Sequence, residues 1–558
     1  MQAYTSFSTK RTAQTEAIPF ENQVKNNAGG FVYTLDIWGA LERFLILGSE
    51  GGTFYVAEKK LTREAALRVI ECIKADGKRT VDVIVEVSVS GRAPKNDPAL
   101  FALALASAAV DKETRTYALD ALPKVARIPT HLFHFVTFAK QFRGIGGRGF
   151  KRALASWYLG MRSDKLAYEV VKYQARDGWS NRDVLRQAHP KTNEVSKNGV
   201  FRWIVDGMEG LANKEAEQEA LPSILQGFES AKTAKGAELT SLIRTYELTR
   251  EMVPTESLKD PKVWEALLDK MPVTAMLRNL GNMSKCGLLT PLSNASKLVV
   301  SRLSDGVLLK QARLHPMSVL VALKQYGLGH GLKGDGKWTP VPAVLDGLDD
   351  AFYATFENLT PTGETLLIAI DLSGSMMGSN YPLYRGDYTK DIAGTCVHPC
   401  EGAAAMALAC AKLEKDYFIM GFGGEHRWNM RQGDLNGFKA LNITAKTTLR
   451  DATKIAHAST FGPTDCALPM IWAEKNKAVV GAFMTITDNE TWCGEIHPKQ
   501  ALKSYRERFN PKAKNIVIGM TATNFTIADP TDSGSLDVVG FDAAAPSVIS
   551  DFIRGGRA

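Results

Sequence analysis

Residues 365–375, TLLIAIDLSGS, decide the fold of the C-terminal part of this chain. The run 366–370 is apolar without interruption, and it ends on Asp371 followed by the hydroxyls of Ser373 and Ser375. A strand apolar at every position must be covered on both faces, as happens in a parallel sheet sandwiched between helices. The sequence downstream agrees. EGAAAMALACAKLE (401–414) reads as a small-residue helix and DYFIMGF (416–422) as a strand. Helices at 447–458 and 467–475 precede the strand VVGAFMTITD (479–488), and PKQALKSYRERF (498–509) is helical before the strand AKNIVIGMT (513–521). Strands alternating with helices predict an α/β domain over 362–558 with a mostly parallel sheet.

Upstream the character differs, and NLTPTGE (358–364) marks the change. From about 60 to 330 helix follows helix. Asp97 before Pro98, Asp260 before Pro261, Pro129 and Pro316 each mark a helix start, because a capping oxygen satisfies orphan amides and proline presets φ at the first helical position. TVDVIVEVSVS (80–90) alternates like a strand but reads equally as a buried helix between breakers. Successive short helices over some 300 residues predict stacked helical pairs, an α-solenoid without strict period, over 20–361.

The composition narrows the class. The chain has 558 residues, enough for two or three cores. No apolar run approaches the ~18 residues of a membrane span, and the polar N-terminus lacks a secretory apolar region. Seven scattered cysteines fit reduced thiols and a cytoplasmic location better than a disulfide framework. Net charge is +8, and its distribution is telling: between Lys140 and Lys191 twelve basic side chains face four acidic ones, an excess equal to that of the whole chain. Such a segment is the footprint of a polyanion partner, although a solvated helical face would look similar.

Asp371, Ser373 and Ser375 follow the strand at i, i+2 and i+4. Ligands of open parallel sheets bind beyond the carboxyl ends of strands. One carboxylate and two hydroxyls in a tight turn can converge on a small hard cation such as Mg²⁺, which prefers oxygen ligands and retains waters. Thr464, in Gly462-Pro463-Thr464-Asp465, and Asp488, in Thr487-Asp488-Asn489-Glu490-Thr491, lie at other strand ends. The set resembles the metal-ion-dependent adhesion site of von Willebrand factor A domains. That resemblance implies direct ligation of a divalent cation by Ser373, Ser375 and Thr464, with Asp371 and Asp488 acting mostly through water.

A longer likeness extends over roughly 20–558. FGPTDCALPMIWAEKN (461–476), TDNETWCGEIHP (487–498) and MTATNFTIADP (520–530) resemble the C-terminal domain of the Ro 60-kDa autoantigen family. GHGLKGDGKWTPVPAVLDGLDDAFYATFENLTPTG (329–363) and DGWSNRDVLRQAHPKT (177–192) resemble its helical TROVE module. The resemblance implies HEAT-like repeats closed into a ring and sealed by the von Willebrand A domain. It also implies binding of small non-coding Y RNA outside the ring and of single-stranded 3′ ends of misfolded RNA in its hole. KYQARDGWSNRDVLRQAHP (172–190) matches the family's Y-RNA surface, which carries over Lys172, Arg176 and His189 as RNA contacts. Lys172 and Arg176 are read here as neighbours on one helix face. Arg143, Arg148, Lys151 and Arg186 join them on charge alone, and His189 before Pro190 reads also as a helix C-cap.

The stretch 377–400 is longer than the family pattern leads one to expect, and its Cys396, His398 and Cys400 are read as loop residues rather than zinc ligands. GIGGRG (144–149) lacks the strand that a dinucleotide fingerprint requires, and Trp338 stands where a Walker loop needs a hydroxyl. The expectation is therefore a monomeric, non-catalytic RNA-binding protein of RNA quality control, with an exoribonuclease or another protein as partner. The competing reading is a metal-dependent protein-interaction scaffold without RNA.

Overall fold

The computed structural model describes residues 11–48, 58–93, 95–312, 314–331, 336–355, 361–377, 397–423, 437–458, 463–521, 523–540, 542 and 544–555. Helices dominate from Ile37–Leu47 to Pro342–Ala354, and they pack in pairs: Gly77–Ser90 on Lys112–Val125, Asp97–Ala106 on Pro129–Phe142, Gly236–Tyr246 on Pro261–Lys270 and Pro316–Gly327 on Pro342–Ala354. The predicted starts at Pro129, Pro261 and Pro316 hold, and the Asp260 side chain accepts from Lys262 N at 2.8 Å. Asp97 does not cap its helix. It is the first helical residue, and its carboxylate pairs with His134 Nδ1 at 2.6 Å. Residues 80–90 are helical, within Gly77–Ser90, and bury Val81, Ile84, Val87 and Ser88 at the three-to-four spacing of a helix face. Tertiary burial outweighs the β-branched composition there.

The repeats return on themselves. His315, just before the helix Pro316–Gly327, contacts the Arg92 carbonyl through Nε2 at 3.1 Å, joining late repeats to early ones. Ser88, Gly91 and Arg127 from the early side and Thr274, Ala312 and Ser318 from the late side line a shared cavity of about 290 Å³ at that seam. The ring closes at this seam.

Strands β1 (Gln23–Lys25) and β2 (Phe31–Thr34) precede the helices, and a two-residue hairpin, β3 (Ala175–Arg176) and β4 (Trp179–Ser180), interrupts them. The C-terminal unit holds β5 (Leu366–Asp371), β6 (Tyr417–Phe422), β7 (Phe438–Ala440), β8 (Ala482–Thr487), β9 (Lys514–Gly519), β10 (Phe525–Thr526) and β11 (Ser535–Val539). Six of these form one sheet in the order β11-β9-β8-β5-β6-β7, parallel except for the edge strand β7. β5 lies at its centre. Leu366, Ile368 and Ile370 join the core shared with the helices, whereas Leu367 and Ala369 pack on the opposite face with Phe483, Val517 and Tyr505. This two-sided burial is why the strand is apolar at every position.

β10 pairs not with the main sheet but with β2, and β2 pairs with β1, so the N-terminal segment is sewn onto the α/β unit. Further ties hold the unit against the ring: Lys324 to Glu401 at 2.6 Å, Leu449 N to Asp349 at 2.5 Å, and Arg92 to Asp542 at 2.8 Å. Arg43, on the first ring helix, is wholly buried and donates to Phe525 O, Thr523 and Asp537.

Candidate cation site and nucleic-acid interface

Asp371 is the last residue of β5, and Ser373 and Ser375 begin the turn and the short helix Gly374–Met377 beyond it. Asp371 organises that turn: Oδ1 accepts from Ser373 N at 2.9 Å and Oδ2 from the Thr487 hydroxyl at 2.6 Å. The Ser373 and Ser375 hydroxyls lie 3.0 Å apart. Asp488 follows β8, next to β5 in the sheet, and its Oδ1 accepts from Glu490 N at 3.0 Å. Its Oδ2 is buried and makes no hydrogen bond. Thr464 is buried too, and its carbonyl accepts from Trp492 N and Cys493 N, which ties its loop to the Asp488 loop; Gly462 lies outside the described residues.

The electrostatics of this set ask for a cation. Burial, then the nearby Asp488 charge, pushes the Asp371 carboxyl up to about 7, and burial likewise raises Asp488, with Ser375 partly offsetting it. Burial raises Asp465 to about 6 and Glu490 to about 8, the latter helped by the Asp488 charge. Neighbouring carboxylates out of water repel one another, and each costs free energy unless a positive charge compensates it. Among the described residues no three His, Cys, Asp or Glu side chains converge as ligands. The Ser373 and Ser375 hydroxyls, 3.0 Å apart in the turn that Asp371 organises, are donors of the kind a hard ion takes. The residues fit Mg²⁺: Ser373, Ser375 and Thr464 would hold it, while Asp371 and Asp488 would supply charge. Glu490, Thr487 and Asp465 belong to the same buried network and were not singled out in the sequence. Glu490 was visible in the motif around Asp488, but nothing local signalled its burial.

Cys400 is not a loop residue, whereas His398 lies just outside a helix as its cap. His398 caps the helix Pro399–Leu413, donating from its backbone to Glu401 at 2.8 Å, and Cys400 lies buried in the first turn. Proline at the first helical position and Glu401 three residues after the cap explain the early start. Cys396 and nearly all of the 377–400 stretch lie outside the described residues.

The basic segment is partly reorganised relative to expectation. Lys172 and Arg176 do not share a helix face. The helix Ser163–Lys172 stops at Lys172, and Arg176 lies in β3. Between β3 and β4, Asp177 (φ 53°) and Gly178 (φ 75°) form a two-residue turn with both φ positive, the geometry an Asp-Gly pair favours. Arg176 is 63% exposed on that hairpin, with its Nε 3.7 Å from Asp177 Oδ1. Lys172 is half-buried: its ammonium bonds to the Tyr168 hydroxyl at 3.0 Å and lies near the Tyr168 and Tyr173 rings, at the edge of a cavity of about 470 Å³. His189 ends the helix Asn181–Ala188 in a left-handed conformation, φ 48°, its amide donating to Leu185 O, while the residue itself is exposed. Arg148 and Lys151 are exposed on Arg148–Leu159, which packs against the helix bearing exposed Arg186. Arg143 is half-buried over the Phe150 ring, 4.8 Å from its centroid. The helix at Arg148 starts after a turn with Gly144 and Gly147 at positive φ and no preceding strand, unlike a dinucleotide loop.

A closed ring of paired helices, sealed by an α/β domain with a hydroxyl–carboxylate loop at the carboxyl edge of its central strand, defines a TROVE ring with a von Willebrand factor A-type cap. The TROVE domain model matches residues 24–248 and 242–328, and the Ro60 vWA domain model matches 365–553. The chain belongs to this Ro60 family of TROVE proteins. It is 42% identical over 545 residues to the RNA-binding protein RO60 of Deinococcus radiodurans, covering 97% of each chain. It is 32% identical to the protein of the same name from Caenorhabditis elegans, covering 96% of this chain and 90% of that one. The crystal structure of the Deinococcus radiodurans RO (RSR) protein superposes with a TM-score of 0.67 at 40% identity, over 94% of this chain and all of that one.

Proposed function

We propose that this chain is a non-catalytic RNA-binding protein that acts in RNA quality control or processing. It takes small structured, Y-like RNA on its basic surface and single-stranded 3′ ends of misfolded RNA in its ring. The observation that carries this reading is the end-to-end likeness, at 42% identity, to a protein named as RNA-binding. The side chains support it physically. Arg148, Lys151, Arg176 and Arg186 are exposed in one basic segment, and phosphate contacts from such residues supply sequence-independent affinity.

The C-terminal site holds Mg²⁺ and offers the ion to an acidic group on a partner protein, such as an exoribonuclease. Catalysis there is disfavoured by the surroundings. Glu490 lies beside the set, but its carboxyl oxygens are held by Asn27 N, Asn27 Nδ2 and Ala28 N, so the group is fixed in the fold rather than free to approach a substrate. The protein works as a monomer in the cytoplasm; among the described residues no helix is long and apolar enough to cross a membrane. The test is binding of a labelled small structured RNA as salt rises from about 50 to about 200 mM. With about four phosphate contacts, affinity falls on the order of a hundredfold. Absence of binding at the low-salt end overturns the reading.

A further inference from the structure

Residues 11–34 precede the ring in sequence, yet they lie across both loops that carry the cation residues. Gln14 is wholly buried and reaches the two loops at once. Its Nε2 donates to Asp465 Oδ1 at 2.7 Å and to Ile496 O at 2.9 Å, while its Oε1 accepts from the Thr491 hydroxyl. Asn26, also buried, donates through Nδ2 to the carbonyls of Asn489 at 3.3 Å and Thr491 at 2.8 Å. Its Oδ1 meanwhile accepts from Gly30 N at 2.8 Å and shapes its own turn. Asn27 and Ala28 saturate Glu490, two residues beyond Asp488.

The approach is as close as the backbone permits. A Cβ on Gly30 would meet Thr491 O at 1.9 Å, and one on Gly494 would meet Gln14 Nε2 at 2.3 Å. No other segment among the described residues bonds both loops in this way through buried side chains. The same segment runs through β2 into the ring helix Ile37–Leu47, and Leu35 N donates to Asn524 O at 3.0 Å on the way.

We propose that the segment 11–34 is a built-in positioning element of the cation site, with Gln14 and Asn26 as its positioning residues. Together they hold the Thr464–Asp465 and Asp488–Thr491 loops in the conformation that accepts the ion. Cation binding and docking of the segment are therefore linked, each favouring the other by the same factor. Partners that fix the groups around a metal site change its affinity without touching the metal. This inference rests on the reading of Ser373, Ser375 and Thr464 as a cation site.

The experiment uses the full chain. Mn²⁺ binding is followed by electron paramagnetic resonance and Mg²⁺ binding by calorimetry, for the parent, Gln14→Ala and Asn26→Asp. Asn26→Asp keeps the acceptor to Gly30 and loses both donors to the Asp488 loop. Each variant binds roughly tenfold more weakly than the parent. In the parent, saturating Mn²⁺ slows tryptic cleavage after the exposed Lys25. A merely structural role would lower the cation-free melting temperature and leave both the cation affinity and the cation-induced melting shift unchanged. If the parent binds no cation, the underlying site reading fails. If the parent binds and both variants match its affinity, this inference fails alone. Should a variant not fold, the parent decides: cleavage after Lys25 that is insensitive to Mn²⁺ overturns the linkage.

Discussion

Acidification is the perturbation that reads the cation site from within. Burial beside Asp488 pushes the Asp371 carboxyl from an ordinary 3.8 up to about 7. Below that value the group holds a proton, which an incoming cation must displace. A group titrating at about 7 is about nine-tenths ionised at about pH 8 and about one-tenth at about pH 6, so Mg²⁺ affinity falls about tenfold between them, or ~1.4 kcal/mol. The sign for stability follows from the same shift. The folded value is raised, so the cation-free fold binds the proton more tightly than the unfolded chain does. The stability this one carboxyl contributes is fully present below about 3.8 and is lost as pH rises through about 7. Mg²⁺ should then stabilise most above about pH 7, where the carboxylates stand uncompensated. Calorimetric titrations at each pH, in two buffers of different ionisation enthalpy, give both the affinity and the protons released. A Mg²⁺ affinity that is flat with pH, with no proton release near neutrality, would refute the reasoning.

Three further outcomes follow. Ser373→Ala combined with Ser375→Ala removes the bound cation, counted by elemental analysis, and leaves affinity for structured RNA within roughly twofold, since the two sets of residues belong to different domains. Replacing Arg148, Lys151 and Arg186 by Ala weakens RNA binding and flattens its log–log salt dependence by roughly 0.9 per lost phosphate contact; an unchanged slope would remove these residues from the interface. Arg43→Met strands the Asp537 carboxylate and the Phe525 carbonyl and destabilises the α/β unit by about 3 kcal/mol, seen as earlier thermal unfolding.

How much of this was legible in the sequence depends on how local the cause is. β5 could be read directly, because alternate residues serve two buried faces and every position must be apolar. Asp371 and Asp488 could be placed for a related reason, lying where the parallel strands β5 and β8 end, whereas Thr464 lies not at a strand end but between the helices Leu449–Ala458 and Leu468–Lys475. β11 was missed: its Asp537 breaks the apolar run, and that residue is satisfied by Arg43, 494 positions away in sequence. The N-terminal segment carries no pattern of its own, because its order comes from Gln14 and Asn26 meeting loops more than 450 residues distant. The helix face assumed for Lys172 and Arg176 failed on a local signal. Asp177-Gly178 favours a tight hairpin turn, which places Arg176 in β3 after the helix has stopped at Lys172.

The central claim, a closed helical ring that takes RNA at two separate places, is tested most directly by competition. One hairpin RNA is offered with and without a single-stranded 3′ tail, at fixed salt, to the parent and to the Arg148, Lys151, Arg176 and Arg186 alanine variant. A ring whose inner surface focuses positive potential accepts an unpaired strand with little regard for sequence. The tailed RNA therefore binds more tightly than the blunt one, and keeps that advantage in the variant even as overall affinity drops. Equal affinity of the parent for tailed and blunt RNA would contradict the ring's role in holding RNA ends.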